Sequence, residues 1–386
     1  QLYGHCCMMH AEDIRNLCCP VAARVEQGYN HSGGKQMERQ ITMQTELTQP
    51  GPLLDANGRL AQVGWSRKPL LDCNLENANF HILRPFQRFR MKRWDYYAVF
   101  TPNRFFSATI ADLGYAGNIF IYTLDFKTGE LHEEGLVIPF GSGIKLERNP
   151  EAGKASFAND RVSLHFQADG GGRRIKVHWA GFNNGRGIQA DITLRELPDH
   201  ESMNIIIPIG RKRFYDNTKI NCMPAQGHIQ YGDQLENLQH ETCIGSLDWG
   251  RGVWEYKSYW NWASASGFLP DGQTIGLNLG QGFGDLSKAT ENCIIRDGRI
   301  HKLGAVRFDY KSGDYMQPWH FTDDGGRLDL AFTPFKDRTA RTNLGIIFSE
   351  VHQMFGRYNG RVILDDGTPL EIHDLIGFAE EHHARW

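Results

Sequence analysis

The sequence predicts an all-β protein made of two antiparallel β-barrel or sandwich domains packed together, and three observations support this. Turn-forming dipeptides recur from about residue 50 onward, short runs of alternating apolar residues lie between them, and strand–helix–strand alternation is not found. Asp-Gly and Gly-Gly supply the positive φ angles that tight hairpins need. Many antiparallel strands in one chain favour closed or sandwiched sheets, because closure removes exposed edges.

The apolar runs have the length and composition of β-strands, since β-branched and aromatic residues fill them. They cover residues 119–126, 161–166, 174–179, 203–209, 274–280, 328–332 and 361–366. Helical periodicity is absent over windows of about eleven residues, apart from a weak candidate near residues 234–242. A doubly wound α/β sheet is therefore excluded.

The chain of 386 residues is long enough for two domains, each with its own core. We predict a poorly ordered leader at residues 1–46, because this stretch begins without strand alternation, a helical stripe or a signal-peptide pattern. Residues 1–36 are interpreted as an appendage translated from upstream of a natural start at Met37. The two β-domains are predicted at residues 47–215 and 216–386.

Composition excludes several classes of function. A net charge of −3 argues against a dedicated nucleic-acid binder, which would carry a basic excess. No apolar run reaches the length of about 18 residues that a membrane span needs, so a cytoplasmic location is the default prediction. The eight cysteines match neither a disulfide framework nor a zinc-ligand spacing, and no metal site is predicted. The glycine-rich stretches 141–143 and 280–284 precede no helix, so no organic cofactor is predicted either.

The segment WEYKSYWNWASASG at residues 254–267 concentrates three tryptophans and two tyrosines. With the period of two of a β-strand, every second residue from Trp254 to Ser266 shares one face. Aromatic rings mixed with hydroxyl groups are typical of a cavity that receives an apolar ligand with a few polar groups. Packing of these rings inside a barrel or between domains remains the alternative. The predicted ligand-binding residues are Trp254, Tyr256, Ser258, Trp260, Asn261 and Trp262.

Ionisable residues near both ends of the second half are candidates for acid–base chemistry. Glu255 lies on the opposite face of the aromatic strand, where burial would raise its pKa toward a useful range. Strand alternation places Glu350 and His352 on one face of the segment at residues 349–356. The predicted catalytic residues are Glu255, Glu350, His352 and Glu381.

The C-terminal segment GFAEEHHARW at residues 377–386 is the densest of these ionisable clusters. Alternation places Glu381, His383 and Arg385 on one face and Glu380 with His382 on the other. A carboxylate and an imidazole two residues apart can form an acid–base pair or half of a metal site. A salt-bridged edge strand is the structural alternative, and all three interpretations stay open.

Several long motifs together resemble the domain-of-unknown-function 2804 family. They are WDYYAVFTPNRFFSATIADLGYAGN, GRGVWEYKSYWNWASASG, the TPFKDR–TNLGIIFSEVHQMFG segment and the terminal GFAEEHHARW. The resemblance covers roughly residues 48–386. It implies a lipocalin-like, two-domain fold related to carotenoid hydratases and to the fungal Diels–Alderases of decalin formation. In those relatives a hydrophobic molecule occupies a pocket near the domain junction, and no catalytic residue is carried over to this sequence.

Two kinds of function are compatible with these features. The first is an enzyme that binds a hydrophobic small molecule near the domain junction and catalyses a cofactor-free hydration, isomerisation or cyclisation. The second is a non-catalytic carrier of a lipid-like ligand, and a carbohydrate-binding protein is a further alternative. A titratable group with a shifted pKa inside the pocket would favour the enzyme. An exposed, flat aromatic platform would favour the carbohydrate binder.

Overall fold

The computed structural model describes residues 44–386, and within them the chain forms 24 β-strands. In chain order the strands are β1 (Gly51–Pro52), β2 (Gly64–Ser66), β3 (Leu71–Asp72), β4 (Met91–Phe100), β5 (Arg104–Asp112), β6 (Ala116–Asp125), β7 (Leu131–Pro139), β8 (Ala152–Ala158), β9 (Val162–Asp169), β10 (Gly172–Trp179), β11 (Ile188–Arg195), β12 (Met203–Ile209), β13 (Arg213–Tyr231), β14 (Gln234–Leu238), β15 (Ile244–Val253), β16 (Lys257–Phe268), β17 (Thr274–Gln281), β18 (Cys293–Arg296), β19 (Arg299–Lys302), β20 (Val306–Asp309), β21 (Trp319–Asp323), β22 (Leu328–Asn343), β23 (Phe348–Ile363) and β24 (Pro369–Arg385).

Helical structure in the described residues is confined to short segments. A single α-helical turn, α1, covers Phe182–Gly185, and two 3₁₀ segments cover Leu75–Asn77 and Arg84–Arg90. The weak helical candidate at residues 234–242 is wrong, because its first five residues form β14 and pair with β13. No helix among residues 44–386 is long and apolar enough to cross a membrane.

Two curled antiparallel sheets form the fold, which confirms the predicted all-β, lipocalin-like class. The first sheet has thirteen strands within the described chain, ordered β7-β6-β5-β4-β15-β13-β11-β10-β9-β8, with β12, β14 and β2 attached beside this path. The second has nine strands, ordered β19-β18-β17-β16-β24-β23-β22-β21-β20. Strands β1 and β3 form a separate parallel pair.

Alternation along the central strands divides the apolar side chains among three cores. In β4, Tyr97 and Val99 belong to a core enclosed by the first sheet, whereas Tyr96 and Ala98 belong to a core between the two sheets. A third core is enclosed by the second sheet and contains Ala263. Because both faces of such strands are covered, they are buried along almost their whole length, and the layer between the sheets is where a cavity can form.

A bulge in β13 brings the two sheets together. The pairing of β13 with β15 shifts between Ile220 and Met223, and Cys222 adopts a φ of 64° there. The Asn221 side chain then donates to Ser264 Oγ over 2.9 Å, and the Cys222 N–H donates to Ser266 Oγ over 3.1 Å. The two serines that follow the tryptophans in the sequence therefore hold the sheets together.

The predicted division of the chain can be placed on these strands. Residues 1–43 of the predicted leader lie outside the described residues. The proposed boundary between residues 215 and 216 falls inside β13, and the first sheet continues to Val253 while the second begins at Lys257. The exchange from one sheet to the other thus occurs in the short segment that carries Trp254, at the start of the aromatic stretch.

Candidate functional site

A cavity of about 350 Å³ lies between the two sheets. Ten aromatic side chains line it, and five of these are tryptophans: Trp94, Trp254, Trp260, Trp262 and Trp386. Strands β4, β5, β6, β7, β12, β13 and β15 supply one wall, and strands β16, β17, β22, β23 and β24 supply the other. The volume lies within the range of small-molecule sites, which are mostly apolar with a few well-placed polar groups.

The cavity opens between the edge strand β7 and the end of β22. Gly135 on β7 and Thr342 on β22 are the exposed members of its lining. Arg338 and Glu133 bridge the same two strands farther inside, with guanidinium–carboxylate distances of 2.7 and 2.9 Å. This ion pair therefore closes the inner part of the gap and leaves the outer part open.

The aromatic stretch contributes most of its predicted ligand-binding residues to this cavity. Trp254, Trp260, Asn261 and Trp262 line it. Tyr256 and Ser258 do not, because the Tyr256 hydroxyl donates to the Ile346 carbonyl outside the cavity and Ser258 Oγ donates to the Glu255 carbonyl.

The tryptophan rings pack against one another at the wall. The ring of Trp254 meets those of Trp94 and Trp260 edge to face, at centroid distances of 5.3 and 5.4 Å. Edge-to-face contacts are a favoured geometry for aromatic pairs and fix the relative orientation of the rings.

Glu380 on β24 is a carboxyl group that the fold buries in the cavity wall. It lies directly opposite Trp262 on β16 and opposite Gln353 on β23, so its position is fixed by both neighbouring strands. Trp260 Nε1 donates to Oε1 over 3.0 Å, and Gln353 Nε2 donates to Oε2 over 3.1 Å. Burial raises the pKa of Glu380 to about 7, against the lowering effect of the Trp260 hydrogen bond and of Arg338.

A hydrogen-bonded network surrounds this carboxyl group. Gln353 Oε1 accepts from the Tyr122 hydroxyl over 2.9 Å and from Arg338 over 3.3 Å. The Tyr122 and Tyr96 hydroxyl oxygens are 2.7 Å apart. Because Gln353 accepts from these donors, its amide nitrogen is directed toward Glu380, and the carboxyl oxygens are held in one orientation.

Charged groups near Glu380 are paired and lie against ring faces. Lys219 Nζ is 3.0 Å from Asp248 and 3.7 Å from Glu291, and it lies 3.9 Å from the ring centroid of Trp262. Such pairing and cation–π contact reduce the cost of burying a lysine in an apolar wall.

Two further basic groups in the lining carry less charge than usual. Burial lowers the pKa of Lys92 to about 7, and Lys92 Nζ donates to the Leu113 carbonyl over 2.8 Å. Burial also lowers the pKa of His382 to about 3, so its imidazole is neutral at physiological pH. His382 Nε2 is 2.9 Å from Ser349 Oγ, and the imidazole packs 4.0 Å from the Trp260 ring centroid.

The structure places the four predicted catalytic residues outside the cavity lining. Glu255 is exposed and pairs with Arg213 over 3.3 Å. Glu381 faces the opposite side of β24 from Glu380, where it accepts hydrogen bonds from the Tyr310 and Tyr315 hydroxyl groups. The hydrogen bonds from these two tyrosines and from His383 hold the pKa of Glu381 below its usual range, against the opposing effect of burial.

Glu350 and His352 form a second surface group. Their side chains are 3.8 Å apart, with His352 also 3.3 Å from Asp337 and stacked on the Tyr315 ring at 4.4 Å. Their catalytic roles, like those of Glu255 and Glu381, stay predictions.

Glu380, which lines the cavity, was not among the residues predicted from the sequence. Strand alternation does put it on the opposite face from Glu381, together with His382, so the signal was present in the sequence. What the sequence lacks is the cross-strand pairing that turns this face, and not the other, toward the tryptophans.

Metal ligands are not assembled in the described part of the chain. No group of three or more His, Cys, Asp or Glu side chains among residues 44–386 is arranged to hold a metal ion. Cys73, Cys222, Cys243 and Cys293 are free thiols and buried.

Comparison with known proteins gives a family and a fold. A family model described as Domain of unknown function (DUF2804) matches residues 44–386, which confirms the resemblance that the sequence motifs indicated. No curated protein sequence matches the chain.

Among solved structures, similarity is found to CghA and to kievitone hydratase. CghA with Sch210972 gives a TM-score of 0.51 at 10% identity, and a second CghA structure gives 0.50 at 11% identity. Kievitone hydratase from Nectria haematococca gives 0.43 at 11% identity. Each of the three matches covers 76% of this chain and 88% of the other. At such identities the likeness to CghA is one of fold.

Proposed function

The chain belongs to the DUF2804 family, and we propose from its cavity that it binds a largely apolar small molecule between its two sheets. Glu380 transfers a proton to or from this molecule. The reaction class is a hydration, isomerisation or cyclisation that needs no organic cofactor. The ligand occupies the space between the sheets, against the tryptophan wall.

The observation that carries this proposal is a titratable carboxyl group facing an aromatic cavity. A general acid or base works best when its pKa lies near the operating pH, and burial brings the pKa of Glu380 to about 7. A carrier needs only the apolar wall, and a carboxyl group buried there would weaken its binding of an apolar ligand. The position of Glu380 therefore favours the enzyme over the carrier.

The contacts of Glu380 are suited to repeated proton transfer. Trp260 and Gln353 each donate to a different carboxyl oxygen, so either oxygen retains a free lone pair for a proton. The protonated carboxyl gives its proton to the bound molecule, and the resulting carboxylate takes one back from water or from another atom of the same molecule. The protein thus ends each cycle unchanged.

The positions of the rings argue against a carbohydrate platform. Trp260 and Trp262 line a cavity between two sheets, whereas sugar-stacking rings would form a flat and exposed surface. The shared fold with CghA, which was solved with Sch210972, supports a small molecule as the ligand class and assigns no residue of this chain.

The experiment starts from protein purified from its own host, whose bound molecule is extracted and identified by mass spectrometry. That molecule is then incubated with wild type, with Glu380→Gln and with Glu350→Gln as the matched control outside the cavity. We expect conversion by wild type and by Glu350→Gln, and retention of the molecule without conversion by Glu380→Gln. Equal conversion by Glu380→Gln would overturn the catalytic assignment, and retention without conversion by wild type would favour the carrier.

A further inference from the structure

Exposed apolar side chains are concentrated at the end of the molecule where the cavity opens. Of the eleven large apolar side chains that are exposed within residues 44–386, six form what we term the apolar rim: Ile82, Leu83, Phe86, Val137, Leu344 and Ile346. Soluble proteins rarely expose apolar residues in such a group without a partner for them.

Part of the apolar rim borders the cavity mouth directly. Val137 lies on the same face of β7 as Glu133 and Gly135, both of which line the cavity, and it is 70% exposed. Leu344 and Ile346 follow the lining residue Thr342 in a tight hairpin and are 71% and 76% exposed. The backbone N–H of Leu344 donates to the Ile347 carbonyl over 2.8 Å, which closes the hairpin between these two residues.

The 3₁₀ segment Arg84–Arg90 brings the remaining members of the apolar rim to the same end. Arg90 donates to the Trp254 carbonyl over 3.0 Å and to the Trp386 carbonyl over 2.7 Å, and both of these residues line the cavity. Its guanidinium lies 6.0 Å from the ring centroid of Tyr256, whose hydroxyl donates to the Ile346 carbonyl. The hairpin and the 3₁₀ segment are thus linked through Tyr256.

This end of the molecule is also basic. Residues 81–93 contain four arginines and no acidic residue, in a chain whose net charge is −3. Lys92 in this stretch is buried in the cavity wall, and Arg93 pairs with Asp112, so the exposed charge comes from the other arginines. Arg84 and Arg88 are exposed within this stretch. On the other side of Tyr256, the Arg341 and Arg385 guanidinium groups lie 5.9 and 5.1 Å from the Phe348 ring centroid. Apolar tips flanked by arginines are complementary to a surface of anionic headgroups over acyl chains.

We propose that this end docks on an anionic lipid membrane, with the apolar rim in the headgroup–acyl boundary and the arginines among the headgroups. The cavity mouth then opens onto the bilayer, from which an apolar molecule can enter without crossing water. This inference goes beyond the proposed function, because it concerns the surface and needs no bound ligand. A second copy of the chain fits this surface less well, since a two-fold contact would place one basic segment against another.

Vesicle sedimentation tests the proposal with the full chain. The probes are vesicles of phosphatidylcholine alone and of phosphatidylcholine mixed with phosphatidylglycerol. We expect wild type to bind the mixed vesicles, and the double variant Leu344→Ser/Ile346→Ser to bind them at least about thirty-fold more weakly, because each of the two buried aliphatic side chains contributes over ~1 kcal/mol. The variant Arg84→Gln/Arg88→Gln should lose about thirty-fold on mixed vesicles, from about 1 kcal/mol per charge, and little on neutral ones.

The matched control is Leu235→Ser/Met316→Ser, which removes two exposed apolar side chains that lie outside the apolar rim. It should bind vesicles like wild type. All of the substituted residues are exposed, so each variant should keep the unfolding temperature of wild type.

The proposal is overturned if wild type binds neither vesicle, or if Leu344→Ser/Ile346→Ser binds the mixed vesicles as tightly as wild type. If wild type binds no vesicles but forms a dimer that Leu344→Ser/Ile346→Ser dissociates, the apolar rim would be assigned to contact with a second copy of the chain. Because no small molecule is used, failure here leaves the role of Glu380 to be decided by its own experiment.

Discussion

Replacing Glu380 by glutamine should change how the stability of the protein depends on pH. Burial raises the pKa of Glu380 from 4.5 to about 7 in the folded state, and the unfolded chain keeps the ordinary value. At about 1.36 kcal/mol per pKa unit, burying the ionised carboxylate costs about 3 kcal/mol once the pH is well above 7. Glutamine keeps the size and hydrogen-bonding capacity of the protonated acid and carries no such cost.

The sign of the effect follows from proton binding. At pH values between 4.5 and about 7, Glu380 binds more protons in the folded state than in the unfolded state. Glu380 therefore lowers the free energy of unfolding as the pH rises through this range. The difference in the free energy of unfolding between Glu380→Gln and wild type should increase by about 2.5 kcal/mol from about pH 5 to about pH 8. Urea titrations of both proteins at the two pH values measure it. Burial also raises the pKa of Asp216 to about 7. Asp216 is present in both proteins, so its effect on the free energy of unfolding cancels in the difference between them.

Glu381→Gln provides the matched control on the same strand. Hydrogen bonds lower the pKa of Glu381, so its stabilising effect is present above its ordinary pKa and is lost as the pH falls below that value. Its difference from wild type should therefore stay nearly constant from about pH 5 to about pH 8. A difference for Glu380→Gln that is equally constant would refute the assignment of Glu380 as a buried group that titrates near pH 7.

Three other results are expected. Arg338→Met should lower the free energy of unfolding by about 3 kcal/mol in urea titrations, because it leaves Glu133 without its partner across the β7–β22 gap. A loss below about 1 kcal/mol would show that solvent screens the ion pair. His352→Ala should retain ligand as wild type does in native mass spectrometry, and loss of the ligand would move the site toward that residue. Cys222 and Cys293 should stay unlabelled by a thiol reagent until the protein is unfolded. Burial raises the pKa of both thiols, that of Cys293 to about 12, so neither forms a reactive thiolate. Peptide mapping that finds either cysteine labelled in the folded protein would contradict its burial.

The fold class could be predicted because its signals are local. The apolar run at residues 203–209 coincides with β12, and that at 274–280 lies within β17, since alternation and turn dipeptides act over a few residues. The helical candidate at residues 234–242 failed because pairing with β13 decided the conformation of a stretch without strong alternation.

The site could be predicted only in part, because its position depends on contacts between distant strands. The position of Trp260 and Trp262 in a cavity wall could be predicted from their own segment, since large aromatic residues on one strand face are unusual by themselves. Glu380 required the knowledge that β24 pairs with both β16 and β23, which are about 120 and 27 residues away in the chain. The bulge in β13 that uses Ser264 and Ser266 is equally invisible to local patterns.

Native mass spectrometry of the protein from its own host tests the central claim most directly, namely that a largely apolar small molecule occupies the cavity between the sheets. The comparison is between wild type, Ala111→Trp, which fills the cavity from its wall, and Ala331→Trp on an exposed strand position. We predict one retained molecule per chain in wild type and in Ala331→Trp, and none in Ala111→Trp. The same molecule retained by a folded Ala111→Trp protein would contradict the claim, as would a wild type that retains nothing from its host.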